Sequence, residues 1–171
     1  MSLQGKKILV LAADYFEESE LLYPVIRLRE EGAVVLVAGT TTTLVKGKSG
    51  YPHPVDITFD DADEAGFDAL VVPGGFAPDL LRRSARVLNL VRAFDRSGRP
   101  VALICHAGWV AASAGILPGR SVTSVAAIKD DLANAGANWK DEPVVADGNL
   151  ISARLPRDLG PWMRALIAAL A

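Results

Sequence analysis

The chain has 171 residues, half of them hydrophobic and 22% charged, with a formal net charge of -2 and one cysteine. That length suits one domain, 1–171, able to bury about 70% of its unfolded surface. Charges of both signs are interspersed, so no basic stripe invites nucleic acid and no polybasic anchor invites a membrane.

A lone cysteine excludes an internal disulfide, which points to a reducing, cytoplasmic setting. Met1 to Lys7 leads straight into strand-like sequence without an apolar leader core. The apolar stretch Val101 to Leu117, inside the longest uncharged run, is broken at His106 and falls short of the ~20 apolar residues that a spanning helix needs.

Lys6 to Ala13 is apolar after a charged start, the pattern of a strand covered on both faces. Leu21, Leu22, Val25, Ile26 and Leu28 then form a helical stripe between Phe16 and Glu31, stopped by Gly32. Ala33 to Gly39 completes a βαβ unit. Pro24 breaks the helical rule, because its ring collides with the Glu20 carbonyl. The helix either starts late or kinks beside that carboxylate.

Thr41 to Val45 and Tyr51 to Ile57, around a Lys46-Gly47-Lys48-Ser49-Gly50 turn, read as short edge strands outside the main sheet. His53, between two prolines, is expected in a surface loop. Asp60 to Gly66 reads as a short acidic helix, and Asp68 to Pro73 as a buried strand running into Gly74-Gly75. Two glycines at the carboxyl end of a parallel strand allow positive φ and bring N–H groups close to a ligand. Ser84 to Gly98 is an amphipathic helix.

Val101 to Ile104 is an uncharged strand, and the Ala/Gly-rich run after Cys105 is helical, which puts Cys105 at the corner. A nucleophile on such an elbow is pushed out of the backbone beside the positive end of a helix, where a thiol tends toward thiolate. The alternative is an inert core thiol, since free cysteines are commonly buried as small hydrophobes.

A short strand is expected at Ser121 to Ser124, a helix from Val125 to Gly136, and strands at Asn138-Trp139, Pro143 to Ala146 and Asn149 to Arg154. The last two strands join through an Asp147-Gly148 hairpin turn, and a helix from Asp158 to Ala171 closes the chain. The sum is an α/β, flavodoxin-like, doubly wound and mostly parallel sheet between helices, with a small edge hairpin. Its ligand crevice lies at the carboxyl ends of the strands, near Asp14 to Glu20, Gly74-Gly75 and Cys105-His106. No His/Cys/carboxylate group has metal-ligand spacing, and no cofactor is implied.

Phe16-Glu17-Glu18-Ser19-Glu20-Leu21 with Tyr23-Pro24, Val72 to Asp79, Ile104-Cys105-His106, and Asp147 to Arg154 with Pro156 together resemble the PfpI/ThiJ superfamily, the class I glutamine amidotransferase-like proteins. The resemblance implies a nucleophile at Cys105, an acid beside its sulfur at Glu20, and an oxyanion hole from the N–H groups of Gly75 and His106. It further implies that His106 pairs with Asp79 of a second copy, hence a homodimer or larger homo-oligomer.

Leu103 and Ala107-Gly108 depart from the usual residues around that cysteine, and Asp79 is one methylene shorter than a glutamate. Glu17 and Glu18 are expected to be solvated first-turn acids, and Trp109, Trp139 and Trp162 core or interface aromatics.

The function so implied is a cysteine-dependent stress-response hydrolase or lyase acting on small reactive carbonyls, their protein adducts or peptides. The alternatives are a non-catalytic redox-sensing or chaperone-like stress protein using the same oxidisable sulfur, and an amidotransferase-like binding domain without turnover. Glutaminase activity is disfavoured because no histidine occurs late in the chain.

Overall fold

The computed structural model describes residues 2–171. Strands β1 (Lys7–Leu11), β2 (Val34–Gly39), β3 (Leu44–Lys46), β4 (Pro52–Pro54), β5 (Ile57–Thr58), β6 (Ala69–Val72), β7 (Val101–Ile104), β8 (Ser121–Val122), β9 (Asn138–Trp139), β10 (Val144–Asp147) and β11 (Leu150–Ala153) occur in chain order. They alternate with helices α1 (Glu18–Glu30), α2 (Ala77–Leu81), α3 (Ala85–Arg96), α4 (Gly108–Ala114), α5 (Lys129–Asn134) and α6 (Leu159–Leu170).

The main sheet runs β10-β11-β7-β6-β1-β2-β5. All its pairs are parallel except the β10–β11 hairpin at one edge. This is the doubly wound α/β arrangement expected of the alternating pattern.

Side chains along each central strand point alternately to the two faces, which creates two cores. Ile8, Val10, Ala102 and Ile104 pack with Leu21, Val25, Trp162 and Leu166. Leu9, Leu11, Val101 and Leu103 pack with Leu90, Phe94, Val110 and Leu132. Continuous apolar strands were therefore the right signal, because both faces are covered.

Four local expectations are corrected. Ile57 lies inside the main sheet, paired parallel to β2 at its edge, while β3 and β4 form a separate antiparallel pair. The acidic segment after Phe59 is helical only over Glu64–Gly66, as one 3-10 turn, and the stretch from Val125 splits into a 3-10 turn at Ala126–Ile128 and the shorter α5. His53 is buried, 8% exposed, with its ring edge-on to Phe16 at 6.5 Å. Alternation in β4 turns it inward between two exposed prolines.

Pro24 sits inside α1 as the chain order foretold, buried and without an N–H for the Glu20 carbonyl. Glu17 caps that helix, accepting from the Ser19 N–H at 3.5 Å and the Ser19 hydroxyl at 2.9 Å.

Candidate active site

β7 ends at Ile104, and helical turns begin at once with Cys105. The corner requires Cys105 to adopt a left-handed backbone, φ 60°, which costs a residue with a β-carbon about 1–3 kcal/mol. The same corner swings the next ring onto the sulfur, so that His106 Nδ1 lies 3.3 Å from Cys105 Sγ. Consecutive residues of a regular helix do not face each other. The strained elbow makes this contact possible.

Glu20, on the first turns of α1, is fully buried and reaches the same place. Its Oε2 accepts the Gly74 N–H at 2.9 Å. A β-carbon on Gly74 would stand 2.3 Å from Glu20 Oε2 and 2.6 Å from Cys105 Cβ, so acid and nucleophile flank a residue that must lack a side chain. Glu20 Oε1 has no hydrogen bond of standard geometry among the described residues. The carboxyl and the thiol nevertheless act on each other through charge and through side-chain hydrogen bonding, and each shifts the other.

Gly75 is equally constrained. It takes φ 75°, and a β-carbon there would meet Glu17 N at 2.4 Å and Tyr15 O at 2.5 Å. The Glu17 N–H donates to Gly74 O and the Phe76 N–H to Tyr15 O, which locks the segment leading to α1 against the Gly-Gly turn. The N–H groups of Gly75 and His106 consequently aim at Cys105.

Burial raises the Glu20 carboxyl to about 8, and the charge of Glu17 adds to that shift. Glu20 therefore holds its proton at neutral pH. Burial also pushes the Cys105 thiol up, to about 12, with the Glu20 charge acting the same way and the Gly75 and His106 N–H groups opposing.

The expectation of a readily formed thiolate thus meets a stronger effect, since desolvation outweighs the donors at the elbow. Acid and thiol titrate as one pair, and a protonated Glu20 is the partner that favours charge on sulfur. Burial, with the charge of Lys48 second, holds the His106 imidazole below its ordinary value and so neutral.

Glu17, Glu20, Lys48, Gly75, Phe76, Cys105 and His106 line a cavity of about 250 Å3 with Val125, Leu155 and Pro156. A larger cavity of about 350 Å3, bounded by Asp14, Thr40, Leu44 and Leu81, contains neither the cysteine nor a histidine. The His106 ring is flanked by Phe76, centroids 6.1 Å apart, and by Trp109 at 5.0 Å.

Cys105, His106, Glu20 and Gly75 are thus brought together, but Asp79 is not. Its carboxylate pairs with Arg83 one turn along, half-exposed, and makes no bond to His106 within the chain.

Sequence reasoning missed Lys48, read only as part of a turn, and treated Glu17 and Glu18 as solvated. Glu17 pairs with Lys48 at the cavity wall, and Glu18 Oε1 accepts the Ser49 N–H at 2.7 Å. Those acids bind a hairpin more than thirty positions away in the chain, a relation that periodicity does not signal.

The protein-family pattern described as the DJ-1/PfpI family matches residues 6–169. Deglycase TK1284 of Thermococcus kodakarensis and Deglycase PfpI of Pyrococcus furiosus are each 46% identical over 96% of this chain and 99% of their own. The crystal structure of Drosophila melanogaster DJ-1beta superimposes with a TM-score of 0.92 at 32% identity, covering 97% of this chain and 90% of the other. These relatives support a hydrolase-type enzyme. With that coverage over the sheet, the elbow and the Gly74-Gly75 turn, the chain belongs to the DJ-1/PfpI family.

Proposed function

We propose that Cys105 is the nucleophile of a deglycase-type hydrolase that acts on small α-oxoaldehydes and on the adducts they leave on amino groups, as part of a cell's response to carbonyl stress. The observation that carries this reading is the contact of His106 Nδ1 with Cys105 Sγ at 3.3 Å, beside a buried Glu20. A neutral imidazole is an acceptor for the thiol proton. The names of the two deglycase relatives favour the same chemistry.

Sγ adds to the aldehyde carbon, and the thiol proton passes to His106 Nδ1 and then to the new oxyanion, giving a hemithioacetal. The N–H groups of Gly75 and His106 hold that oxyanion before it is protonated, a contribution of about 3–4 kcal/mol per donor in comparable sites. On a carbinolamine adduct the same hemithioacetal forms as the amine departs with a proton.

Glu20 gives its proton to the neighbouring carbonyl oxygen, its carboxylate carries the hydrogen of the former aldehyde carbon as a proton to the neighbouring carbon, and the hemithioacetal hydroxyl returns a proton to Glu20 as the thioester of a 2-hydroxy acid forms. Water cleaves the thioester to free acid and thiol. The sum is oxoaldehyde plus water to hydroxy acid, with no net oxidant.

A cavity of about 250 Å3 has room for a few heavy-atom groups, which favours small carbonyls over a folded or extended peptide. The test is turnover of methylglyoxal, of a glycated amine and of casein by the wild type and by Cys105→Ala. Hydroxy-acid release that vanishes with the sulfur supports the reading. Casein cleavage without carbonyl turnover turns it to proteolysis, and peroxide oxidation of Cys105 without any turnover turns it to a redox sensor.

A further inference from the structure

The β3–β4 hairpin is hooked onto the start of α1 with unusual thoroughness. Asp14 Oδ1 accepts the Lys46 N–H at 2.9 Å, Phe16 O accepts the Lys48 N–H at 2.9 Å, and Glu18 Oε1 accepts the Ser49 N–H at 2.7 Å. Glu18 packs so tightly that a β-carbon on Gly47 would lie 2.3 Å from its Oε1. These bonds fix the backbone on both sides of Lys48, whose side chain forms part of the wall of the Cys105 cavity.

Lys48 pairs there with Glu17, yet the two members are not equally committed. Glu17 Oε1 is engaged by Ser19 and Oε2 by Lys48, and its side chain is only 16% exposed. An ammonium has three hydrogens, and the Lys48 side chain is 46% exposed. The cavity therefore offers an incoming molecule a cation with spare donors, beside a buried Glu20 carboxyl that is bonded to Gly74 through Oε2 and holds its proton.

We infer that Lys48 is a specificity-determining residue that selects carbonyl compounds bearing a carboxylate next to the reacting carbon, with glyoxylate as the simplest member. The inference rests on the reading of Cys105 as the reacting atom. The carboxylate takes hydrogen bonds from the Lys48 ammonium while the carbonyl carbon meets Sγ, and the Glu17 pair keeps the ammonium in place when the cavity is empty.

Two alkylating reagents of nearly the same size test this without any turnover. Iodoacetate carries a carboxylate and iodoacetamide does not, and with both Sγ displaces iodide. The ratio of their rates at Cys105 is independent of how much thiolate is present.

Lys48→Met is expected to lower the iodoacetate-to-iodoacetamide ratio by about five- to tenfold, the size of one screened unit charge in the wall of the same cavity. Lys48→Arg keeps most of the ratio, and 0.5 M salt narrows the gap between wild type and Lys48→Met. Circular dichroism and thermal unfolding confirm that each variant is folded.

A ratio unchanged in folded Lys48→Met overturns the inference, whatever the enzyme turns over. Conversely, a ratio that depends on Lys48 in a protein that turns over no carbonyl leaves anion selection standing and overturns the proposed activity. Glyoxylate itself stops at the hemithioacetal, because the carbon next to its aldehyde is already a carboxylate, so where turnover of glyoxal is present Lys48→Met is expected to raise the inhibition constant of glyoxylate about tenfold and KM for glyoxal less than threefold.

Discussion

Glu20 and Cys105 meet across Gly74, a residue whose missing side chain is what lets a buried carboxyl stand beside the sulfur. The acid comes from the first helix and the thiol from the turn that follows the seventh strand, and the Gly74 N–H bonds the acid at 2.9 Å. The pair is therefore held by backbone, so its chemistry and the stability of the fold are linked.

Gly74→Ala is the direct probe of that contact. Its methyl group would meet Glu20 Oε2, Cys105 Cβ and the Ile104 carbonyl at 3.0 Å or less. Overpacking of this kind costs about 1–3 kcal/mol. Urea unfolding is expected to show that loss, and iodoacetamide labelling a markedly altered rate at Cys105. A variant as stable and as reactive as wild type would show that the acid and the thiol do not touch through this residue.

Stability should fall with rising pH because of Glu20. Its folded value of about 8 stands above the ordinary 4.5, so between these the folded state holds a proton that the unfolded state has lost. The contribution is complete below about 4.5 and is lost as pH rises through 8, on the order of a few kcal/mol for a group this buried. Melting temperatures of wild type between pH 5 and 8 are expected to decline, and those of Glu20→Gln to stay flatter over the same range. Parallel curves would mean that Glu20 is ionised throughout.

The same substitution bears on the sulfur. A protonated carboxyl donates to a thiolate, whereas an ionised one repels it. Glu20→Gln replaces an acidic donor by a weaker amide, and the alkylation-rate profile of Cys105 against pH is expected to shift upward. A downward shift would identify repulsion as the dominant effect in the wild type.

His106 is held neutral by burial and by the Lys48 charge, so the acid limb of kcat/KM should lie below pH 6.5. Replacing it by alanine is expected to lower kcat about a hundredfold or more, in line with loss of a general base. An acid limb at or above pH 6.5 that survives in His106→Ala would assign the limb to another group.

Asp79 faces Arg83 rather than His106 in the single chain, and its proposed role is in a second copy. Mixing His106→Ala chains with Asp79→Ala chains should regenerate one complete site per mixed pair and recover activity that neither variant has. Sedimentation of wild type as a monomer, or no recovery after subunit exchange, would remove Asp79 from the site.

The order of strands and helices, the elbow at Cys105 and the glycine turn at Gly74-Gly75 were legible along the chain. Each is a local matter, of apolar runs with both faces covered, of a strand passing into a helix, and of backbone angles that suit glycine. What tertiary packing decided was the electrostatics and the reach of side chains. Only in the folded sheet do Glu20 and Cys105 lose their water together, so burial overrides the helix-end donors that sequence alone favours. Only there does a hairpin tip lie against the first helix, converting Glu17 and Glu18 from surface acids into anchors and placing Lys48 in the cavity wall. His53 turned inward for the same reason, because a residue's face is set by pairing across strands and not by the prolines beside it.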